Sequence, residues 1–190
     1  YAIVLLNAQG NSYKDIRLTY LWDVTLSMKG YPPGGDNPDI YDKVVTAMIK
    51  DIESVTNERT EIVVVPFQNS QYCEVWKEFA TPQGKANLKS KIKAYKNDNV
   101  TNTNISAPLK YAIDSIFTTD KIDIMKLMTD GVDNVDPNRL KYILDNWCKI
   151  AKSKDVYGYY ILLTAAAKEN DELIIKLKEI CNFETVDVSN

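Results

Sequence analysis

Hydrophobic residues along this 190-residue chain follow two patterns, short apolar runs and longer segments with helical spacing. The short runs, rich in β-branched and aromatic residues, predict strands at 17–23, 60–67, 73–79, 123–128, 156–164 and 185–188. Segments with apolar residues three and four positions apart predict helices at 40–55, 82–95, 105–117, 137–153 and 170–181. Strands that alternate with helices indicate an α/β fold with a mostly parallel sheet and helices on both faces.

Two of the predicted strands differ in pattern. Residues 60–67 have a continuous β-branched centre, which is typical of a strand covered on both faces. Residues 73–79 alternate between apolar and polar positions and follow after a short turn. We therefore expect them to form a hairpin partner at the edge of the sheet.

Length and composition indicate one compact domain with a sizeable core, since 45% of the residues are hydrophobic. We find no internal repeat and expect residues 17–190 to form the domain, with residues 1–16 as an N-terminal extension. Residues 2–8 are apolar and are either the tail of an export signal or a short peripheral strand or helix. They are too few to span a bilayer, and no other transmembrane segment is expected.

Charge and residue usage exclude several classes of function. The net charge is −3 and the isoelectric point is near 5.1, so no electrostatic footprint for nucleic acid is present. Histidine is absent, which excludes a Ser-His-Asp site and histidine-ligated metals within this chain. Three cysteines without paired spacing favour buried free thiols, with one disulfide as the other option.

Oxygen-bearing side chains follow the first predicted core strand at alternate positions. They are Asp23, Thr25 and Ser27. Alternate residues of an extended segment point to the same side, so the carboxylate and both hydroxyls can converge just beyond the strand. Hard oxygen donors of this kind suit Mg²⁺, Mn²⁺ or Ca²⁺. Taken alone, the same residues also fit a turn or a helix start.

Two further oxygen-rich segments are expected at the same edge of the sheet as Asp23. Thr101-Asn102-Thr103-Asn104 precedes the predicted helix at 105–117, and Thr129-Asp130-Gly131 follows the strand at 123–128. In an open parallel sheet, sites form at the carboxyl ends of the strands where the direction of winding reverses. We therefore expect the three segments to meet.

The order and spacing of the three segments resemble those of a von Willebrand factor A domain, over residues 17 to 188. The resemblance implies a three-layer, doubly wound, Rossmann-like fold with a mostly parallel six-stranded sheet and one antiparallel edge strand. It also implies a metal-ion-dependent adhesion site. Its ligands in this chain would be Asp23, Thr25, Ser27, Thr103 and Asp130.

The resemblance further implies a binding function without catalysis. Neutral hydroxyl ligands leave the charge of a bound Mg²⁺ incompletely offset, and in the family the acids often act through water. A Glu or Asp carboxylate of a protein partner can then complete the coordination shell. We expect an extracytoplasmic adhesion module, belonging to a larger protein or complex, with Mn²⁺ or Ca²⁺ as the other metal options.

The chain departs from the family pattern at two points. Thr25 stands where serine is commonest, and its hydroxyl supplies the same oxygen with a stiffer χ1. Lys29 and Gly30 stand where integrin β subunits carry acids, so a second, neighbouring calcium is not implied. Two glycosylation patterns begin at Asn99 and Asn104, and we interpret them as incidental.

Two other functions fit part of the same pattern. A Mg²⁺-dependent phosphohydrolase would use Asp23 as a nucleophile after the first strand, as haloacid-dehalogenase-type phosphatases do. That class needs a second acid two residues on, where this chain has Thr25. The other alternative is a domain in which the metal is purely structural.

Overall fold

The computed structural model describes residues 14–30, 39–70, 72–96, 102–129, 137–163, 175, 178–179 and 184–187. Within these residues the strands are β1 (Asp15–Asp23), β2 (Glu61–Phe67), β3 (Trp76–Phe79), β4 (Lys121–Met128), β5 (Gly158–Leu163) and β6 (Glu184–Asp187). The α-helices are α1 (Tyr41–Glu53), α2 (Pro82–Ala94), α3 (Ser106–Tyr111) and α4 (Pro137–Ser153). The predicted α/β class is confirmed.

The strands form one sheet in the order β3-β2-β1-β4-β5-β6. All neighbouring pairs are parallel except β2 and β3, which are antiparallel. The edge hairpin was therefore predicted correctly, although β3 begins at Trp76 and not at residue 73. In the parallel register Asp23 pairs with Phe67 and Trp22 pairs with Met128, so β1, β2 and β4 end at the same edge.

Helices cover both faces of the sheet and bury a separate apolar layer on each. On one face α1 contributes Val44, Met48 and Ile52, and α2 contributes Leu88 and Ile92. On the other face α3 and α4 pack against β1, β2 and β4. Alternate residues of β1 enter the two layers, as the period of a strand requires. The result is a helix–sheet–helix sandwich.

The third helix differs from its prediction. A single helix was expected over residues 105–117, but α3 ends at Tyr111 and a π-helical turn follows at Ala112–Ile116. Carbonyl groups of this wider turn accept hydrogen bonds from distant side chains: Arg17 donates to Ile116 O, and Lys154 donates to Ile113 O. The spacing of apolar residues within the segment does not indicate these contacts, because both donors lie far away in the chain. The helix predicted at 170–181 lies almost wholly outside the described residues.

The cysteines follow the favoured expectation only in part. Cys148 on α4 is disulfide-bonded, whereas the sequence favoured free thiols. Cys73 is a buried free thiol, and burial raises its pKa to about 11. The spacing of the three cysteines holds no signal for a disulfide, which is why the sequence offered one only as the second option. Among the helices that the structure describes, none has the length and apolar content to cross a membrane.

Candidate metal centre

The first loop of the candidate site is shaped by the carboxylate at the end of β1. Asp23 is fully buried, and its Oδ1 accepts hydrogen bonds from the backbone N–H of Thr25 at 2.9 Å and from Thr25 Oγ1 at 2.6 Å. The chain stays extended at Thr25 and then enters a 3₁₀ turn at Leu26–Met28. This turn brings Ser27 Oγ to 3.1 Å from Thr25 Oγ1. The three predicted side chains therefore converge.

The second loop reaches the same cluster from across the sheet edge. Thr103 is buried and its Oγ1 donates to Thr25 Oγ1 at 3.0 Å. The next residue anchors this loop, because the Asn104 N–H donates to Gln68 O at 2.8 Å. Asn104 Oδ1 also accepts from Ser106 Oγ and from the Ala107 N–H at the start of α3. Since Asn104 is fully buried, it is not available for glycosylation in the folded chain.

The third loop contributes a residue that was not predicted to belong to the site. Thr129 follows β4, is 2% exposed, and donates its hydroxyl to Asp23 Oδ2 at 2.8 Å. Both oxygens of Asp23 are therefore held by hydroxyl groups from two different loops. The sequence signal for Thr129 was its place in Thr-Asp-Gly, but its contact depends on β4 lying beside β1. Asp130 lies outside the described residues, and its role stays a prediction.

The structure brings together four of the five predicted ligands. They are Asp23, Thr25, Ser27 and Thr103. The cluster lies at the carboxyl end of β1, between β2 and β4, where the chain switches from one side of β1 to the other. This is the topological switch point at which open α/β sheets bind their ligands.

Oxygen spacing in the cluster fits a small octahedral cation. Mg²⁺ binds oxygens at about 2.0–2.1 Å in near-octahedral geometry, which places neighbouring ligands about 2.9 Å apart. Thr25 Oγ1 lies 3.1 Å from Ser27 Oγ and 3.0 Å from Thr103 Oγ1. The donors are oxygens only, which favours Mg²⁺, Mn²⁺ or Ca²⁺ over soft metals. No group of three or more Asp, Glu, His or Cys side chains suited to a metal is found among the described residues.

The basic residue of the first loop packs on an aromatic ring. Lys29 Nζ lies over the ring of Tyr41, 4.7 Å from its centroid. Gly30 follows with φ of 78°, in the left-handed region that glycine tolerates, and its N–H bonds to Ser27 O. The loop therefore closes on itself and keeps its cation on an aromatic face. The groups of Thr25 and Thr129 that donate to Asp23 are neutral.

Comparison with solved structures identifies the class of fold. Proximal thread matrix protein 1 from the mussel byssus, solved with a zinc-occupied metal-ion-dependent adhesion site, has a TM-score of 0.63 and 17% identity. The match covers 93% of this chain and 46% of the mussel protein, so the chain spans about half the length of that protein. No protein-family model and no curated protein matches the chain.

Two bacterial structures share the same architecture. The protein BatB from Bacteroides thetaiotaomicron has a TM-score of 0.62 and 11% identity, over 90% of each chain. The pilus adhesin SpaC from Lactobacillus rhamnosus GG has a TM-score of 0.64 and 13% identity, over 93% of this chain and 29% of SpaC. At such low identity the likeness defines the fold alone. The chain has the von Willebrand factor A fold.

Proposed function

We propose that this chain is a metal-dependent protein-binding module that captures a Glu or Asp side chain of a partner. Asp23, Thr25, Ser27, Thr103 and Asp130 would hold the cation, with Mg²⁺ as the first choice and Mn²⁺ or Ca²⁺ as alternatives. One observation carries the proposal: Thr25 Oγ1 contacts Ser27 Oγ, Thr103 Oγ1 and Asp23 Oδ1 at once. Two loops, far apart in the chain, thus direct hard oxygen donors to one point.

The protein's own residues supply orientation and a limited negative charge. Asp23 is fixed through both oxygens, by Thr25 on one side and Thr129 on the other, so its carboxylate needs little rearrangement. The remaining described donors are neutral hydroxyls, which offset little of a divalent charge. A bound cation would supply that residual charge and a coordination position for a partner's carboxylate.

Burial of Asp23 argues for binding and against phosphate hydrolysis. Asp23 is fully buried, and both of its oxygens accept hydrogen bonds. A carboxylate buried in this way is a poor nucleophile, because a phosphoryl group has no approach to it. The residue two positions on is Thr25, which offers no acid for protonating a leaving group.

An extracytoplasmic setting, in a larger protein or complex, accords with this function. Cys148 is disulfide-bonded, and disulfides persist chiefly in oxidising compartments. The mussel thread protein and the SpaC pilus adhesin, which share the fold, are respectively from a byssus and a pilus. We assign the module to residues 17–190, with residues 1–16 as an extension to it.

Metal binding can be tested with two matched threonine variants. Mn²⁺ or Mg²⁺ titrated into the wild-type chain by calorimetry should give one saturable site. Thr25→Val removes the central hydroxyl and should weaken binding at least as much as loss of an outer-shell partner, about 10–100-fold. Thr19→Val makes the same change at a buried position of β1 that faces no ligand, and should leave binding unchanged. A wild-type chain that binds no divalent cation at millimolar concentration would contradict the proposal.

Partner capture needs a separate measurement. A pull-down from extracellular material, with metal or with chelator, should recover a partner only with metal, and Thr25→Val should lose it. Metal that raises thermal stability without recovering any partner would support the purely structural reading. Sustained release of phosphate from an aryl phosphate, abolished in Asp23→Asn, would instead establish the hydrolase.

A further inference from the structure

A second polar cluster lies inside the apolar layer beneath α1, away from the candidate metal centre. Tyr20 on β1 and Lys126 on β4 are paired in the parallel register and lie side by side. Lys126 Nζ contacts Asp51 Oδ2 on α1, and Tyr20 OH donates to the same oxygen at 2.5 Å. An amine, a carboxyl group and a phenol therefore meet at one point between helix and sheet.

Hydrophobic side chains surround Tyr20 and Lys126, and Asp51 lies at the partly exposed rim of the cluster. Tyr20 is fully buried, Lys126 is 4% exposed, and the Asp51 side chain is 26% exposed. Met48 and Ile52 of α1, on either side of Asp51 along the helix, are buried in the same layer. Removing an ammonium and a carboxylate from water is costly, and their mutual attraction often fails to repay it. The site therefore favours any form of the pair without charge.

Burial favours the neutral forms of both Lys126 and Asp51. It lowers the pKa of Lys126 to about 7, which favours the unprotonated amine. It also raises the pKa of Asp51, although the hydrogen bond from Tyr20 acts in the opposite direction. The pKa of Tyr20 lies well above its ordinary value because of burial, so the phenol keeps its proton and can donate it in a hydrogen bond.

We propose that Lys126 and Asp51 condense after folding into an isopeptide bond that joins β4 to α1. The Lys126 Nζ lone pair attacks Asp51 Cγ, and an N–C bond forms. One amine proton passes to the departing hydroxyl of the protonated carboxyl group, and one water molecule leaves. The reaction needs no oxidant or other co-reactant. Tyr20 OH assists by donating to the carboxyl oxygen, which polarises the C–O bond under attack.

The product would suit this position in the fold. A neutral amide removes two buried charges and keeps a carbonyl that can accept the Tyr20 hydrogen bond. The link joins residues 75 positions apart, so it would constrain the unfolded chain as a disulfide does, without thiols. It would also tie α1, the helix that follows the first loop of the candidate metal centre, to a central strand.

The mass of the intact, folded chain tests the proposal directly. After reduction of the disulfide at Cys148, we expect a mass lower than that of the sequence by one water molecule. Trypsin should then yield a branched peptide in which residues 51–59 are joined to residues 122–139, because an acylated Lys126 is not cleaved. A folded wild-type chain with the full sequence mass and separate peptides would overturn the proposal and leave a buried ion pair.

Variants assign the reacting groups. Lys126→Arg keeps the positive charge but should restore the full mass, and Asp51→Asn should lose one ammonia in place of water. Tyr20→Phe should slow the mass loss after refolding. The exposed Lys89–Glu53 pair, 2.6 Å apart between α2 and α1, is the matched control, and Glu53→Gln should leave the mass loss intact. A mass loss that persists in both Lys126→Arg and Asp51→Ala would also refute the assignment.

Discussion

The two ends of β1 carry buried polar clusters on the same face of the strand, and their charges are arranged differently. At the amino end, Arg17 Nε lies 3.2 Å from Glu61 and 3.4 Å from Asp123, so a cation of the chain lies between two acids. At the carboxyl end, Asp23 accepts hydrogen bonds from the neutral groups of Thr25 and Thr129. The amino-end cluster contains the positive charge of Arg17, whereas in the carboxyl-end cluster hydroxyl groups lie around a carboxylate.

This contrast separates a structural cluster from a candidate binding site. Burial alone does not distinguish them, since Arg17 is 7% exposed and Asp23 and Asp123 are fully buried. The clusters differ in the group beside the buried carboxylate, which is Arg17 for Asp123 and the hydroxyls of Thr25 and Thr129 for Asp23. A buried carboxylate beside an arginine serves the fold, whereas a buried carboxylate among hydroxyls suits an external cation.

Removing the arginine should affect stability and spare the other end of the strand. Arg17→Met leaves the buried Asp123 without its ion pair, and breaking such a pair costs about 3–5 kcal/mol of unfolding free energy. Urea denaturation of the metal-free chain measures this loss, and Mn²⁺ titration of the folded variant should give wild-type affinity. A marked fall in metal affinity would show that the two clusters are coupled.

The amino-end cluster should also make stability depend on pH. Burial raises the pKa of Asp123 from 3.8 to about 6, in spite of the hydrogen bond from Thr118 and the nearby Arg17. The folded chain therefore binds this proton more tightly than the unfolded chain does. The resulting stabilisation is present below about pH 4 and is lost as pH rises through about 6.

The size of this effect follows from the two pKa values and is at most about 3 kcal/mol. Unfolding free energies measured across that pH range, for the wild type and for Asp123→Asn, give the contribution by difference. The variant should show a flatter profile in this window. An unchanged profile would mean that another group is responsible for the pH dependence.

At the carboxyl end, Thr129→Val should act on the metal and much less on the fold. The variant removes the hydrogen bond to Asp23 Oδ2 and frees the carboxylate to rotate. Loss of an outer-shell partner of this kind lowers metal affinity about 10–100-fold, or about 1.4–2.8 kcal/mol. Calorimetry with Mn²⁺ measures the change, and Thr129→Ser, which keeps the hydroxyl, should restore the affinity. Equal affinity in Thr129→Val and the wild type would make Thr129 a purely structural residue.

Local patterns in the sequence predicted the features that depend on neighbouring residues. The boundaries of α4 were predicted at both ends, because Pro137 marks its first turn and apolar spacing continues to Ser153. The carboxyl ends of β1 and β2 were also predicted, since continuous apolar runs stop at Asp23 and Phe67. The three oxygen-rich segments were found in the same way.

The pairings that sequence reasoning missed join residues far apart in the chain. Arg17 meets Asp123, and Tyr20 meets Lys126, only because β1 and β4 are neighbours in a particular register. Each of these residues taken alone is a polar interruption of an apolar strand, with no motif to identify its partner. Thr129 belongs to the same group, since its contact with Asp23 also crosses from β4 to β1.

Thr19 lies between the two clusters on the same face of β1, and its substitution has the smallest expected effect. It is fully buried, and its hydroxyl has no hydrogen-bond partner among the described residues. Valine has nearly the same shape without the polar group, so Thr19→Val should raise the unfolding free energy by about 1 kcal/mol. Thr25→Val, six positions on, should instead lose metal affinity, because its hydroxyl contacts three other side chains. Destabilisation by Thr19→Val would mean that its hydroxyl has a partner and that the two threonines are not the contrasting pair proposed here.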